Sequence, residues 1–297
     1  MTRLTGAIVA LTLIATQAHA EPARYDTPQS ALDAFMASLE TRDREGLLTV
    51  FGPEAEEVLF SDDPAENRAN RNGILRLYKE GYRFQPDGDG VILLLGEDSW
   101  PFPIPLARTG EAWAFDLAAG EAEIEAREIG LNELDVIDLL DAYVDLQASY
   151  RLEDHDGDGV MEFAAQIIAD PGERNGLFWP DGDGFVGPIL ARAALTGWSD
   201  GETDHEPEPF MGYYFTILHG QGADAPGGEM SYIINGNLVA GHALLAVPAE
   251  YGVTGVHTFM VSENGIVLEA DLGEDTIERA DEISLYNPDP DWSPVEE

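Results

Sequence analysis

Residues 132–162 carry the sequence NELDVIDLLDAYVDLQASYRLEDHDGDGVME, which decides how the second half of the chain folds. Its first part predicts an amphipathic helix over residues 132–150, because apolar residues recur every three or four positions. These residues are Leu134, Ile137, Leu140, Tyr143, Val144 and Tyr150. Asn132 is a favourable N-cap, and Asp135 is placed to complete a capping box. The sequence therefore predicts a long helix that ends directly before an acidic loop.

The loop after this helix has the residue spacing of a calcium site. Its aspartates fall at positions 1, 3 and 5 of a calcium-binding loop, and Gly159 falls at position 6, where the chain turns sharply. Position 12, where an EF-hand needs a bidentate glutamate, is Ala165, so the acidic residue at position 9 is the expected substitute. The predicted ligands are Asp154, Asp156, Asp158, the backbone carbonyl of Val160, and Glu162.

Several alternatives remain open for this loop. A carboxylate from further along the chain can close the cage instead, and the candidates are Glu173, Asp170 and Asp181. Calcium is expected over magnesium, because a cage of carboxylates suits the larger and more flexible ion. The loop can also be a solvated acidic turn, as we interpret the strings at 87–90 and 181–184, which lack a third carboxylate. His155 lies between the ligand positions and is expected to point outward.

Residues 1–20 have the features of an export signal. A short basic start precedes an apolar run from Ala7 to Ala15, and Ala18-His-Ala20 has the small-x-small pattern of a cleavage site. The run is too short to span a bilayer, and no later segment approaches the roughly 20 apolar residues that a spanning helix needs. The mature protein is therefore predicted to be periplasmic or secreted, without a membrane span.

Composition excludes some classes of chemistry and of partner. The chain contains no cysteine, which excludes disulfides and thiol catalysis. The formal net charge of −42 makes nucleic acid and anionic lipid surfaces unfavourable partners, because both would be repelled. A surface with this many acidic residues is typical of adaptation to a salty exterior. The charge therefore indicates the environment of the protein and not its activity.

Residues 25–129 are predicted to form an α+β module, with helices followed by a curled antiparallel sheet. Helix starts are expected at Thr27-Pro28, Asp43 and Asp63-Pro64, since each has a capping residue. Strands follow at 91–95 and in a hairpin over 103–116. The string Asp43-Arg-Glu-Gly-Leu47-Leu-Thr-Val-Phe51 resembles the short second helix of the nuclear-transport-factor-2-like cone fold, and this likeness implies a partial cone.

Residues 130–297 are predicted to form a second α+β module, and Gly130 is expected to separate it from a helix over 119–129. After the acidic loop, residues 163–168 are expected to be helical. An antiparallel meander follows, with predicted strands at 212–218, 231–234, 240–247, 255–262 and 265–270.

Over nearly its whole mature length the chain resembles the bacterial, typically exported family called domain of unknown function 2950. The resemblance rests on six strings. They are Trp100-Pro-Phe-Pro-Ile-Pro105, Asp154-His-Asp-Gly-Asp-Gly159, Gly176-Leu-Phe-Trp-Pro180, Gly212-Tyr-Tyr-Phe215, Pro248-Ala-Glu-Tyr-Gly252 and Asp289-Pro-Asp-Trp292. The likeness implies an exported protein and leaves its activity open.

The second half also resembles the soluble core of type IV pilins and pseudopilins. The likeness is carried by a helix ending in Tyr150, by Gly212-Tyr-Tyr-Phe215 and Ala246-Val-Pro248, and by the run from Thr254 to Gly265. It differs where pilins polymerise, because the helix from Asn132 is amphipathic and not a spanning helix. The resemblance implies a pilin-like fold used as a soluble module.

No motif assembles a catalytic centre, since the sequence has no metalloprotease, nucleophile-elbow or P-loop string. His205, His219, His242 and His257 show no metal-ligand spacing. The favoured hypothesis is a non-catalytic envelope module, held by calcium, that binds another envelope protein or a small ligand. A soluble component of pilus or secretion machinery is the second. A hydrolase with paired carboxylates in the first module or between the modules is the third.

Overall fold

A computed structural model describes residues 21–182, 184–195 and 207–295. The predicted export signal over 1–20 and His205 lie outside the described residues. The chain divides into two compact units between Ile124 and Glu125, which we call unit 1 and unit 2. Both combine helices with antiparallel sheets, which confirms the α+β class. Among the described residues, every helix is too short or too polar to cross a membrane.

Unit 1 opens with four helices, three of which begin at a side-chain cap. The helices are α1 (Pro28–Thr41), α2 (Arg44–Phe51), α3 (Glu56–Leu59) and α4 (Pro64–Glu80), with a 3-10 turn at Pro53–Ala55. The Thr27 side chain accepts the Ser30 N–H at 3.1 Å, and Asp43 accepts the Gly46 N–H at 3.0 Å. Asp63 accepts the Ala65 N–H at 2.7 Å. The three predicted helix starts are confirmed.

The helices of unit 1 pack against a five-stranded antiparallel sheet. Its strands are β1 (Tyr82–Asp87), β2 (Gly90–Leu95), β3 (Trp100–Pro101), β4 (Leu106–Thr109) and β5 (Ala112–Phe115). Their order is β1-β2-β4-β5, and β3 pairs with β2. Four phenylalanines fill the space between helices and sheet, with the Phe51 ring 4.9 Å from Phe35 and 4.5 Å from Phe115. β1 was not predicted, because five of its six residues are exposed and give no alternation.

A single helix, α5 (Leu117–Tyr150), replaces the two predicted helices. The predicted break at Gly130 and the predicted N-cap at Asn132 are therefore wrong. One glycine costs a helix only about 1 kcal/mol, and the Val136 and Leu140 side chains further along are fully buried in the core of unit 2. The Asn132 side chain instead donates to the Thr254 carbonyl at 3.0 Å.

The main sheet of unit 2 is an antiparallel meander with the order β16-β15-β14-β13-β8. These strands are β8 (Tyr213–Leu218), β13 (Ala243–Pro248), β14 (His257–Ser262), β15 (Leu268–Asp271) and β16 (Ser293–Pro294). Both faces are covered. Leu244 belongs to the apolar cluster that contains Leu140 of α5, and its neighbour Leu245 belongs to a second cluster with Ala280 of α7 (Thr276–Asp281).

Smaller elements complete unit 2. They are the strands β6 (Gln166–Ile168), β7 (Gly176–Phe178), β9 (Gly220–Gln221), β10 (Met230–Ser231), β11 (Ile233–Ile234) and β12 (Asn237–Leu238), and the helix α6 (Pro188–Arg192). The helix predicted over 163–168 is wrong, because β6 pairs in parallel with β7. The backbone of Ala164 bonds the buried side chain of Gln147 on α5, which holds this segment extended.

Candidate metal centre

The structure brings three predicted ligands together in the loop that follows α5. Carboxylate oxygens of Asp154, Asp156 and Asp158 all lie within 4.8 Å of one another. Calcium binds oxygen at 2.3–2.6 Å, so two oxygens on one ion are at most about 5.2 Å apart. The separation therefore fits a single calcium ion. All three side chains are exposed, which leaves room for water to complete the shell.

Backbone hydrogen bonds shape this loop. The two Asp154 oxygens accept the N–H groups of Gly157 at 2.8 Å and Gly159 at 3.0 Å. These bonds hold the pKa of the Asp154 carboxyl below its usual range. Gly157 has φ 79° and Gly159 has φ 91°, values that a side chain would strain. The glycines thus let the backbone fold inward and present ionised oxygens on one side.

Glu162 lies near the aspartates but is not among the three residues whose oxygens meet. Its Oε2 accepts the backbone N–H of Leu238 at 3.0 Å. Burial raises the pKa of the Glu162 carboxyl, and the negative charges of the three aspartates raise it further, although the bond from Leu238 opposes this. Val160, the remaining predicted ligand, is exposed and donates its N–H to Asp158 at 2.7 Å.

A hairpin distant in sequence holds the far side of the loop. Nδ2 of Asn237 donates to Oδ2 of Asp158 at 2.5 Å, and the Phe163 N–H donates to the Leu238 carbonyl at 2.8 Å. Asn237 and Leu238 form β12, which pairs with β11. The loop is thereby fixed to the end of α5 on one side and to this hairpin on the other.

His155 turns away from the three aspartates and packs against aromatic side chains beside the loop. Its ring centroid lies 4.2 Å from that of Tyr150, 5.5 Å from Trp179 and 5.7 Å from Phe185. Its Nε2 lies 2.9 Å from the Tyr150 carbonyl. The reason is the apolar surface that these aromatic rings offer beside the loop. His155 therefore anchors the loop and is not placed to bind a cation with the aspartates.

Comparison with known proteins gives one family. A family model described as "Protein of unknown function (DUF2950)" matches residues 23–295. The chain belongs to this family. No curated protein and no solved structure matches the chain. In this DUF2950 chain the acidic loop lies within the matched region.

The other acidic residues that were considered for the cage bond elsewhere in this DUF2950 chain. Asp170 accepts from the Asn175 side chain at 2.8 Å, and Glu173 accepts from the same amide at 3.1 Å. Asp181 pairs with Arg174 at 2.8 Å, and this cation lowers the pKa of the Asp181 carboxyl. Of the predicted ligands, the structure therefore assembles the three loop aspartates, with Glu162 beside them.

Two histidines of unit 2 have structural partners that the sequence did not indicate. Nδ1 of His257 lies 3.2 Å from Oε1 of Glu133, and the same oxygen accepts the N–H groups of Val256 and His257 at 2.9 Å each. His242 is 1% exposed between the rings of Tyr143 and Phe163. No sequence signal marks either residue, since their partners lie about a hundred positions away.

Proposed function

We propose that this DUF2950 protein works outside the cytoplasm as a non-catalytic envelope module, and that its acidic loop holds a structural calcium ion. The observation that carries the metal part is the approach of the Asp154, Asp156 and Asp158 oxygens within 4.8 Å. Export is supported by the signal-like sequence of residues 1–20.

A bound cation would act on the folded state through charge and through geometry. Without one, three aspartates share a small volume with Glu162, whose carboxyl already has a raised pKa. An ion that binds only the folded loop adds stability by mass action, about 2.7 kcal/mol at a concentration one hundred times Kd. Because the loop directly follows α5 and is hydrogen-bonded to β12, that stabilisation extends to the core of unit 2.

The non-catalytic role is proposed from the sequence, which contains no metalloprotease, nucleophile-elbow or P-loop string. The function we propose is recognition of another envelope protein or of a small ligand.

Thermal unfolding with calcium or with a chelator tests the metal part. Millimolar calcium should raise the Tm of the native protein by several degrees, and chelator should reverse the shift. The double variant Asp156→Asn, Asp158→Asn should lose the response, while its amide oxygens still accept the N–H groups of Asp158 and Val160. Magnesium should need a higher concentration for the same effect.

A matched control removes the same charge from another acidic turn. Asp87→Asn with Asp89→Asn changes the turn between β1 and β2, where no third carboxylate follows. This variant should keep the full calcium response. An unchanged Tm of the native protein at millimolar calcium, or an equal response of both double variants, would show that the loop is only a solvated turn.

Cell fractionation tests the compartment separately. The full chain should be recovered outside the cytoplasm and shortened at its amino terminus, whereas a chain without residues 2–20 should stay inside. Retention of the full chain in the cytoplasm would contradict export and would leave the calcium experiment unaffected.

A further inference from the structure

A cavity of about 200 Å³ lies in unit 1 among α1, α2 and α4. Its floor is apolar and comes from these helices, from the end of α3 and from Phe102, which follows β3. The floor residues are Phe35, Leu39, Leu47, Leu59, Phe60, Ile74 and Phe102. Leu39, Leu47 and Phe102 belong to the buried core of the unit, so the floor is firmly held.

Four arginines surround this apolar floor. Arg42, Arg44, Arg68 and Arg71 all line the cavity, in a chain with only 15 lysines and arginines among 297 residues. The described residues that line the cavity include no Asp or Glu. An adjoining open groove shares the four arginines and carries three acidic side chains, Glu56, Glu57 and Asp62. In a protein of net charge −42, this is a local positive site.

Two of the four arginines have no partner among the described residues. Arg44 is paired with Glu56 at 2.7 Å and lies 3.9 Å from the centre of the Phe60 ring. Arg71 donates to Asn72 at 3.0 Å. Arg42 and Arg68 make neither a hydrogen bond nor an ion pair through their side chains within the described part of the chain. They are free to meet a ligand.

The face that α4 turns to the cavity is polar where packing alone would make it apolar. Asn67, Asn70, Arg71 and Ile74 follow at i, i+3, i+4 and i+7 spacing and all line the cavity. A helix face that covers an apolar floor is normally apolar. α4 instead has no fully buried residue, although it is one of the longest helices of unit 1. The Asn67 side chain on this face bonds the backbone of Ser61, and Asn70 and Arg71 place further polar groups beside the apolar floor.

We propose that this cavity binds a small amphiphilic carboxylate, with its apolar body on the phenylalanine and leucine floor and its carboxylate against Arg42 and Arg68. Arginine binds carboxylates through charge-assisted and often paired hydrogen bonds. Pockets for drug-sized ligands measure about 300–1,000 Å³, so a cavity of about 200 Å³ takes a smaller molecule. A short-chain or medium-chain fatty carboxylate has the matching size and polarity.

Calorimetric titration of the full chain with three matched probes tests the proposal, in a chelator buffer that keeps the acidic loop free of calcium. Octanoate has both an alkyl chain and a carboxylate. 1-Octanol has the alkyl chain without the charge, and acetate has the charge without a long alkyl chain. Octanoate should bind with a negative heat-capacity change, since apolar surface is buried. Octanol should bind at least roughly tenfold more weakly, and acetate should give no measurable heat.

Variants locate the site. Arg42→Gln and Arg68→Gln should each weaken octanoate binding by roughly tenfold, because each removes a charge-assisted hydrogen bond. Arg76→Gln is the matched control. Arg76 lies on the same helix, pairs with Glu80 and does not line the cavity, so this variant should bind octanoate normally. Circular dichroism checks that all three variants are folded.

Four outcomes would overturn the proposal. Absence of octanoate binding would remove it altogether, and equal affinities for octanoate and octanol would leave only an apolar cavity. Acetate binding as strong as octanoate would indicate a simple anion site. An equal loss in Arg76→Gln would show that net charge, and not the cavity, controls binding. None of these results bears on the calcium response of unit 2.

Discussion

Gln147 and Ala164 exchange two hydrogen bonds in the core of unit 2. Oε1 of Gln147 accepts the Ala164 N–H at 2.9 Å, and Nε2 donates to the Ala164 carbonyl at 3.0 Å. The same Nε2 lies 3.0 Å from the Tyr143 hydroxyl, and Gln147 is 0% exposed. A glutamine of α5 thus takes the place of a β-strand partner for the chain that leaves the acidic loop.

Removing this side-chain amide should destabilise unit 2 strongly. Gln147→Leu keeps a similar volume but leaves the buried N–H and carbonyl of Ala164 unpaired, each costing about 1–3 kcal/mol. We expect unfolding free energy to fall by about 2–4 kcal/mol in urea titrations. Gln85→Leu on the exposed strand β1 is the control and should stay within about 0.5 kcal/mol. A loss below about 1 kcal/mol would mean that water satisfies Ala164.

Replacing each of two glycines of α5 by alanine should change the stability of the protein in opposite directions. Gly130 has open space around it, so Gly130→Ala should stabilise the protein by about 0.5–1 kcal/mol through the better helix propensity of alanine. A Cβ at Gly120 would lie 2.6 Å from Cγ1 of the buried Ile104, so Gly120→Ala should destabilise by about 1–3 kcal/mol. Thermal melts of both variants check this. Destabilisation by Gly130→Ala would indicate a real break in the helix.

His242 should make the protein sensitive to acid. Burial, with a smaller contribution from Arg151, lowers the pKa of His242 to about 4. The unfolded chain binds this proton near pH 6.5, so stability should increase with pH between about 4 and 6.5, by about 3 kcal/mol for this group. His242→Phe removes the titration and fits between the two neighbouring rings.

The effect of His242 is isolated by the difference in unfolding free energy between the native protein and His242→Phe at each pH, because the many carboxylates titrate in both proteins. As pH falls from 6.5 to 4, the variant should become more stable relative to the native protein. Above about pH 7 the difference between their unfolding free energies should be constant. Parallel pH profiles would show that the imidazole is not desolvated as the structure places it.

The Glu162 carboxylate should contribute to calcium affinity but not to the stability of the calcium-free protein. In Glu162→Gln the amide oxygen can still accept the Leu238 N–H, so that contact is retained. Burial and the neighbouring aspartates raise the pKa of this carboxyl, so a neutral side chain should leave the calcium-free stability equal or slightly higher. Calcium titration should show roughly tenfold weaker binding, because a charged ligand is lost. Unchanged affinity would remove Glu162 from the proposed ligands.

Local patterns made much of the fold predictable. The helix starts at Thr27, Asp43 and Asp63 depend on neighbours within three residues, and each cap is observed. The apolar runs of β8, β13 and β14 were predicted because buried strands need them. The break at Gly130 was wrong because tertiary packing outweighs one glycine. The resemblances to the cone fold and to pilins stay predictions.

The site was only partly predictable, because the sequence shows local spacing but not contacts between distant residues. Spacing alone brings Asp154, Asp156 and Asp158 together, because the ligands lie within one turn of chain. The position of Glu162 depends on Leu238, which is 76 residues away, and no periodicity reports such a contact. The basic cavity of unit 1 was missed, although four arginines at 42, 44, 68 and 71 in so acidic a chain were a visible signal.

The inward packing of His155 gives the acidic loop an optical reporter. Its ring centroid lies 5.5 Å from that of Trp179, and indole emission responds to the packing and charge of its neighbours. A cation bound by Asp154 and Asp156 would change the charge on both sides of His155. In a chain that keeps Trp179 and carries phenylalanine at the other tryptophans, we expect calcium to change the fluorescence, so that occupancy of the loop can be followed directly in solution.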